Sequence, residues 1–233
     1  MNKGFKNILA VSTIIICGSL YILGNNEIAI NNTRYKGMEI SLNDKTNVVE
    51  EGNGLLLVNS KLGLDTKYKP KDLEIPNIPF ANESQTEERQ VTKIVVKPLE
   101  DLINSAKAEE IILLGNSAYR SYDLQKRIYK DSVKAYGKKY TEDYVAKAGF
   151  SEHQTGLAID ITNEHRYFVK GTNEADWLEK NCYKFGFIIR YPEGKNDITG
   201  IAYEPWHIRY VGEQVATYIH NKGITLEEYL EEQ

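Results

Sequence analysis

Hydrophobic positions fall into three regimes along the chain. From Ile8 to Leu23 they form a run without a single charge, preceded by Lys3 and Lys6. This is the layout of a secretory signal or signal anchor. The run is slightly shorter than the ~20 residues that cross a bilayer comfortably. No Ala-x-Ala site follows it, and Ile16 stands before Cys17 where a lipoprotein cleavage site would need a small residue. An uncleaved anchor over residues 1–24 is therefore the favoured reading. It places the rest of the chain outside the membrane, because the positive end stays inside; if the segment is cleaved, the product is secreted. Residues 25–53 are polar, rich in asparagine and without sustained period, which reads as a tether.

The third regime, 54–233, alternates helical and strand-like patterns. Leu55–Val58 reads as a short apolar strand. Pro70, Pro76 and Pro79 forbid a helix and make Tyr68–Phe80 an extended arm. Pro98 should open a helix over Leu99–Ala108, with Leu99, Leu102, Ile103 and Ala106 on one face. Ile111–Leu114 reads as a buried strand closed by Gly115-Asn116-Ser117, before a helix over Asp123–Tyr136. Thr141 is a candidate N-cap for a helix over Glu142–Ala148. A strand over Leu157–Thr162, a polar turn over Asn163–Thr172 and a helix over Glu174–Phe185 ended by Gly186 follow. Strands over Phe187–Tyr191 and Tyr203–Val211 flank a hairpin loop at Pro192–Asn196. Glu213–Asn221 and a capping box from Thr225 to Glu228 supply the terminal helices. Short loops, early helices and late strands predict an α+β domain, a small antiparallel sheet with helices packed on it.

Composition narrows the choice of chemistry. The 233 residues suffice for one sizeable domain, and 41% hydrophobic with 27% charged residues is ordinary for a globular protein. A net charge of −4 without a Lys/Arg block argues against nucleic acid as partner. Sixteen tyrosines against six phenylalanines suit a groove that takes peptide or sugar, or equally half-buried strand positions. Of the two cysteines, Cys17 lies in the apolar N-terminal run, so no disulfide is available within the domain, and Cys182 reads as a small buried hydrophobe.

The stretch Ser151-Glu-His-Gln-Thr-Gly-Leu-Ala-Ile-Asp160 sets His153 and Asp160 on a loop that runs into a strand. Farther on, Glu204-Pro-Trp-His207 offers a second carboxylate and a second imidazole. His153, Asp160 and His207 would fill three corners of a tetrahedral zinc site, leaving the fourth for water. Glu204 would then be the base that takes the proton of that water. On a regular strand positions 204 and 207 face opposite sides, so a bend at Pro205 is required. From spacing alone, two satisfied histidines and two surface carboxylates account for the pattern equally well. His165 is a rival ligand near Asp160, although its Asn-Glu-His-Arg setting reads as an exposed turn; His220 reads as surface. Arg120, between a strand and a helix, could hold a terminal carboxylate or a developing oxyanion, and Gln125 and Ser151 could donate to substrate.

These motifs resemble the signature of the VanY-type zinc D-alanyl-D-alanine carboxypeptidases, which include L,D-carboxypeptidase relatives of the LdcB and DacB kind. The similarity runs from about Leu55 to Val211 and takes in Tyr119-Arg-Ser-Tyr122 and Phe187-Ile-Ile-Arg-Tyr-Pro192. It implies a hedgehog- and lysostaphin-like fold and one zinc ion on His153, Asp160 and His207. Glu204 would be the catalytic base and Arg120 would stabilise substrate or intermediate. The expected activity is removal of the terminal D-alanine from peptidoglycan stem peptides by a membrane-tethered monomer, D,D bonds preferred and L,D bonds possible. The alternatives are a non-catalytic wall- or partner-binding module that keeps the metal site, and an endopeptidase that cuts cross-links.

Overall fold

The computed structural model describes residues 54–81 and 84–233; the expected anchor, 1–24, and tether, 25–53, lie outside them. The proline-rich arm contributes β1 (Leu73–Glu74), which pairs with β2 (Val91–Thr92). Helix α1 (Lys93–Ala108) follows at once, beginning before Pro98 rather than at it. The earlier start buries Val95 in line with Leu99, Leu102, Ile103 and Ala106. Burying one valine contributes about 1.5–3 kcal/mol, comparable with the ~3 kcal/mol that a proline costs within a helix.

Strand β3 is Leu114–Ser117, so the chain extends through the glycine that turn chemistry marked as its end. Gly115 is needed there for space: a Cβ would lie 2.7 Å from the Phe80 ring, which the arm brings alongside through a Phe80–Gly115 bridge. Helix α2 (Tyr122–Tyr136) is capped by the Ser121 hydroxyl, and Gly137 separates it from α3 (Lys138–Tyr144). Thr141, expected as an N-cap, lies inside α3, its hydroxyl donating 2.9 Å to the Gly137 carbonyl. Strand β4 (Ala158–Thr162), α4 (Asn173–Asn181) with a 3-10 turn through Phe185, and β5 (Phe187–Ile189) come next.

The connection out of β5 is longer than the expected hairpin. It carries a short helix, α5 (Asn196–Thr199), before β6 (His207–Tyr210), and ends in helices α6 (Glu213–Lys222) and α7 (Leu226–Glu231). Thr225 and Glu228 form the expected capping box of α7. The main sheet is antiparallel with order β3-β4-β6-β5, as the α+β reading requires.

The strand period of two decides which residues reach the site. Ile159, Ile161 and Ile208 join α1, Phe187 and Trp177 in the main core. Asp160, His207 and Arg209 therefore project from the opposite face. A second cluster, Ile188, Val211, Ala216, Ile219 and Leu226, seats the terminal helices. Leu55–Val58 forms no strand. Carbonyls of this segment are taken instead by the Arg209 guanidinium, at 2.9 Å from Gly54 O and 2.6 Å from Leu56 O.

Candidate active site

The motif around His153 folds into a 3-10 turn, Glu152–Thr155, ended by Gly156 in the left-handed region at φ 68°. Glycine is required twice over. A side chain would be strained at that φ, and its Cβ would meet Leu73 and Thr92 at 3.0 Å. The turn delivers the chain into β4, where Asp160 lies opposite His207 of β6. Glu204 sits before β6 in a turn, with the His207 amide donating 3.2 Å to the Glu204 carbonyl. That turn is the bend the Glu-Pro-Trp-His spacing called for, and it brings Glu204 Oε2 to 4.0 Å from His207 Nδ1.

One ligand atom each from His153, Asp160 and His207 lies within 4.8 Å of the others, the sole such His/Cys/Asp/Glu group among the described residues. His153 Nδ1 is 2.7 Å from the Ala118 carbonyl, which makes it the protonated nitrogen. The other, Nε2, faces Asp160 Oδ1 at 3.4 Å. His207 turns Nδ1 to the same oxygen at 2.9 Å. Its Nε2 has no hydrogen-bond partner and lies 3.5 Å from Glu152 Oε2, which is buried and equally unpartnered. Two imidazole nitrogens and a carboxylate converging, each imidazole backed by an oxygen acceptor, fit a zinc ion with an open position.

The charges are tuned by their surroundings. Burial would raise Asp160, but the two imidazoles hold it well below the usual carboxylate range. Burial and the Arg120 guanidinium push His153 down to about 4. Burial acts downward on His207 too, yet the neighbouring carboxylates of Asp160 and Glu152 carry it up to about 9. Burial lifts Glu204 up to about 8, only partly opposed by His207 and Arg120. Two carboxylates facing one centre thus prefer different protonation states, the ionised Asp160 suited to holding a metal and Glu204 to taking up a proton.

Arg120 projects from the loop between β3 and α2. Its backbone amide donates to His153 O at 3.2 Å, so the loop and the metal turn hold each other. Its guanidinium Nη2 stands 3.7 Å from Asp160 Oδ2 with the side chain 12% exposed, and its Nε has no partner. Ser151 lines the same cleft of about 700 Å³. Gln125 lines it too, but its amide nitrogen is committed to Ala146 O at 2.7 Å; Oε1 is the unpartnered atom. The rival His165 is exposed in the turn after β4, and exposed His220 stacks on Tyr183 with ring centroids 3.8 Å apart.

Sequence reasoning missed Glu152 and its partners. Glu152, Arg190 and Arg209 are fully buried. Glu152 Oε1 accepts from Arg190 Nε at 2.7 Å and from Arg209 Nη1. Arg190 is held at its other end by Glu227 of α7 in two parallel bonds of 2.7 and 2.9 Å. The signal was present: arginines at the end of Phe-Ile-Ile-Arg and two residues after His207 stand where an apolar strand would be expected.

Comparison with known proteins places this geometry in a family. The family model VanY, D-alanyl-D-alanine carboxypeptidase, matches residues 88–213. YodJ of Bacillus subtilis is 43% identical over 184 residues, covering 77% of this chain and 67% of that protein. The solved LdcB LD-carboxypeptidase superposes with a TM-score of 0.71 at 39% identity, over 80% of this chain and 94% of that one. The vancomycin resistance D,D-pentapeptidase VanY, solved as a mutant in complex with Zn(II), gives 0.66 at 36% identity, over 77% and 99%. With more than half its length matched by the family model and its His–Asp–His cluster assembled beside Glu204, the chain belongs to the VanY family of D-alanyl-D-alanine carboxypeptidases.

Proposed function

We propose that this protein is a zinc carboxypeptidase that removes the terminal D-alanine from peptidoglycan stem peptides, D,D bonds before L,D bonds. The observation that carries the reading is the convergence of His153, Asp160 and His207 beside a buried carboxylate that burial lifts to about 8. The relatives supply the substrate class, since they include D-alanyl-D-alanine carboxypeptidases and a VanYB solved with D-alanine-D-alanine.

A zinc ion on these three residues supplies the Lewis acidity that makes a water proton labile near neutral pH. Glu204 accepts that proton as the peptide carbonyl is attacked, then delivers it to the leaving amine of D-alanine. Its raised affinity for a proton suits both halves of the task. Arg120, cationic and largely enclosed, pairs with the free C-terminal carboxylate or with the developing oxyanion. A fixed cation beside the metal favours an exopeptidase over an enzyme that cuts within cross-links, and a site kept only for structure would need no buried base.

The uncharged run Ile8–Leu23 behind Lys3 and Lys6 supports export and tethering at the membrane. No helix among the described residues is long and apolar enough to cross a membrane.

The test is product analysis on penta- and tetrapeptide stems. D-Alanine released from the pentapeptide, and lost on chelation and regained with zinc, is the expected result. Release of no amino acid from either stem by the zinc-loaded protein would refute the reading.

A further inference from the structure

Beyond the metal, the most unusual surface feature is a row of tyrosines. Tyr136 ends α2, and Tyr140 and Tyr144 follow at one-turn intervals on α3. Their ring centroids are 5.2 and 4.9 Å apart in sequence, with interplanar angles of 44° and 32°. Exposure climbs from 38% at Tyr144 through 50% at Tyr140 to 68% at Tyr136. All three line the cleft that holds Arg120 and Glu204. The row thus begins within the cleft and leads out of it.

Packing does not explain it. Thr141 is the buried residue of α3, and none of the three rings belongs to a core cluster. The charges of α3 are consumed locally, Lys138 with Glu142 at 3.8 Å and Lys139 with Asp143 at 4.0 Å. The three rings are left as a contiguous exposed aromatic row. Contiguous exposed aromatic surface is costly to keep unless something docks on it.

We propose that Tyr136, Tyr140 and Tyr144 are a stacking platform for the glycan strand that bears the stem peptide. This rests on the carboxypeptidase reading above. When the peptide's C-terminus is held at Arg120, its N-terminal end leaves through the cleft mouth, and that end is the one joined to sugar. A pyranose presents an apolar C–H face bordered by hydroxyls, the complement of a tyrosine ring with its phenolic oxygen. The repeat of the rings is comparable with the length of one sugar unit. A peptide would instead require backbone hydrogen-bonding partners, which a helix such as α3 does not offer from its side.

The experiment compares, for the full zinc-loaded chain, disaccharide-pentapeptide with the same pentapeptide lacking sugar, in wild type and in the Tyr136→Ala/Tyr140→Ala double variant. Wild type is expected to favour the sugar-bearing substrate by about tenfold in kcat/KM, through KM. The double variant should erase that preference. Equal kcat/KM on the two substrates in wild type, or equal losses on both in the variant, overturns the platform. A wild type that releases no D-alanine from either substrate refutes the carboxypeptidase reading instead. Binding of peptide-free glycan strands, followed by calorimetry, then decides the platform without catalysis: weaker binding by the variant supports it, and unchanged binding refutes it.

Discussion

Asp160 and His207 are direct register partners across β4 and β6, and the His207 Nδ1 lies 2.9 Å from Asp160 Oδ1. Two ligands separated by 46 intervening positions in sequence are therefore fixed by backbone hydrogen bonding of the sheet rather than by a flexible loop. Sites carried on paired strands hold their geometry more closely than sites on loops.

Zinc binding should be proton-linked through this pair. His207 is held up to about 9, so it carries an extra proton at neutral pH, whereas a metal ligand must offer a lone pair. His153, pushed down to about 4, is already neutral. In a Glu204→Gln background, where the other elevated group is removed, binding should release about one proton per zinc at pH 7, with affinity rising roughly tenfold per pH unit until about 9 and then levelling. Calorimetry in buffers of different ionisation enthalpy measures the release; none at pH 7 would contradict this account of His207.

Glu204→Gln should retain zinc at one ion per chain while kcat falls by about 10²–10⁴. The side chain lies beside the cluster, 4.0 Å from His207 Nδ1, and is not one of the three converging ligand residues. Metal content and turnover measured on the same preparation check both halves.

Glu152 acts as a positioning residue through His207 Nε2. Replacing it with glutamine leaves Arg190 and Arg209 without their shared carboxylate and should cost about 3–5 kcal/mol of stability. Zinc affinity should fall about 10–100-fold. Glu227→Gln is the control, since it strips Arg190 of a partner at the far end without touching His207. It should destabilise the fold and leave affinity for zinc unchanged in a chelator competition. Equal affinity losses in both variants would make the role of Glu152 merely structural.

Arg120→Ala should weaken kcat/KM on a free-acid peptide by at least about thirtyfold, because losing one partner of a buried charged pair costs 2–5 kcal/mol. The wild type should discriminate strongly against the same peptide amidated at its C-terminus, and the variant should not. Lysine is expected to restore little, lacking the planar two-pronged donor. Undiminished preference for the free acid in Arg120→Ala would remove the arginine from substrate recognition.

Several features were legible in the sequence because they depend on neighbours along the chain. The capping box at Thr225, the helix stop at Gly186 and the strand through Ile159 and Ile161 follow from local sterics and a strand period. Local rules failed where a distant group took over. Leu55–Val58 looked like a strand until Arg209 proved to hold its carbonyls, and Gly115 looked like a turn until Phe80 lay across it. The helix reached back past Pro98 because Val95 had a core to enter.

The sequence by itself determined the types of residue available for catalysis: two imidazoles, two carboxylates and an arginine set in turn-to-strand contexts. It also showed that a bend between Glu204 and His207 is needed if both are to serve one metal. Only the tertiary structure decided that Glu152 backs His207, that two buried arginines neutralise it, and that Glu227 of the last helix anchors Arg190. Ligand type is a property of one residue, but burial and the pairing of charges depend on segments that meet only after the chain has folded.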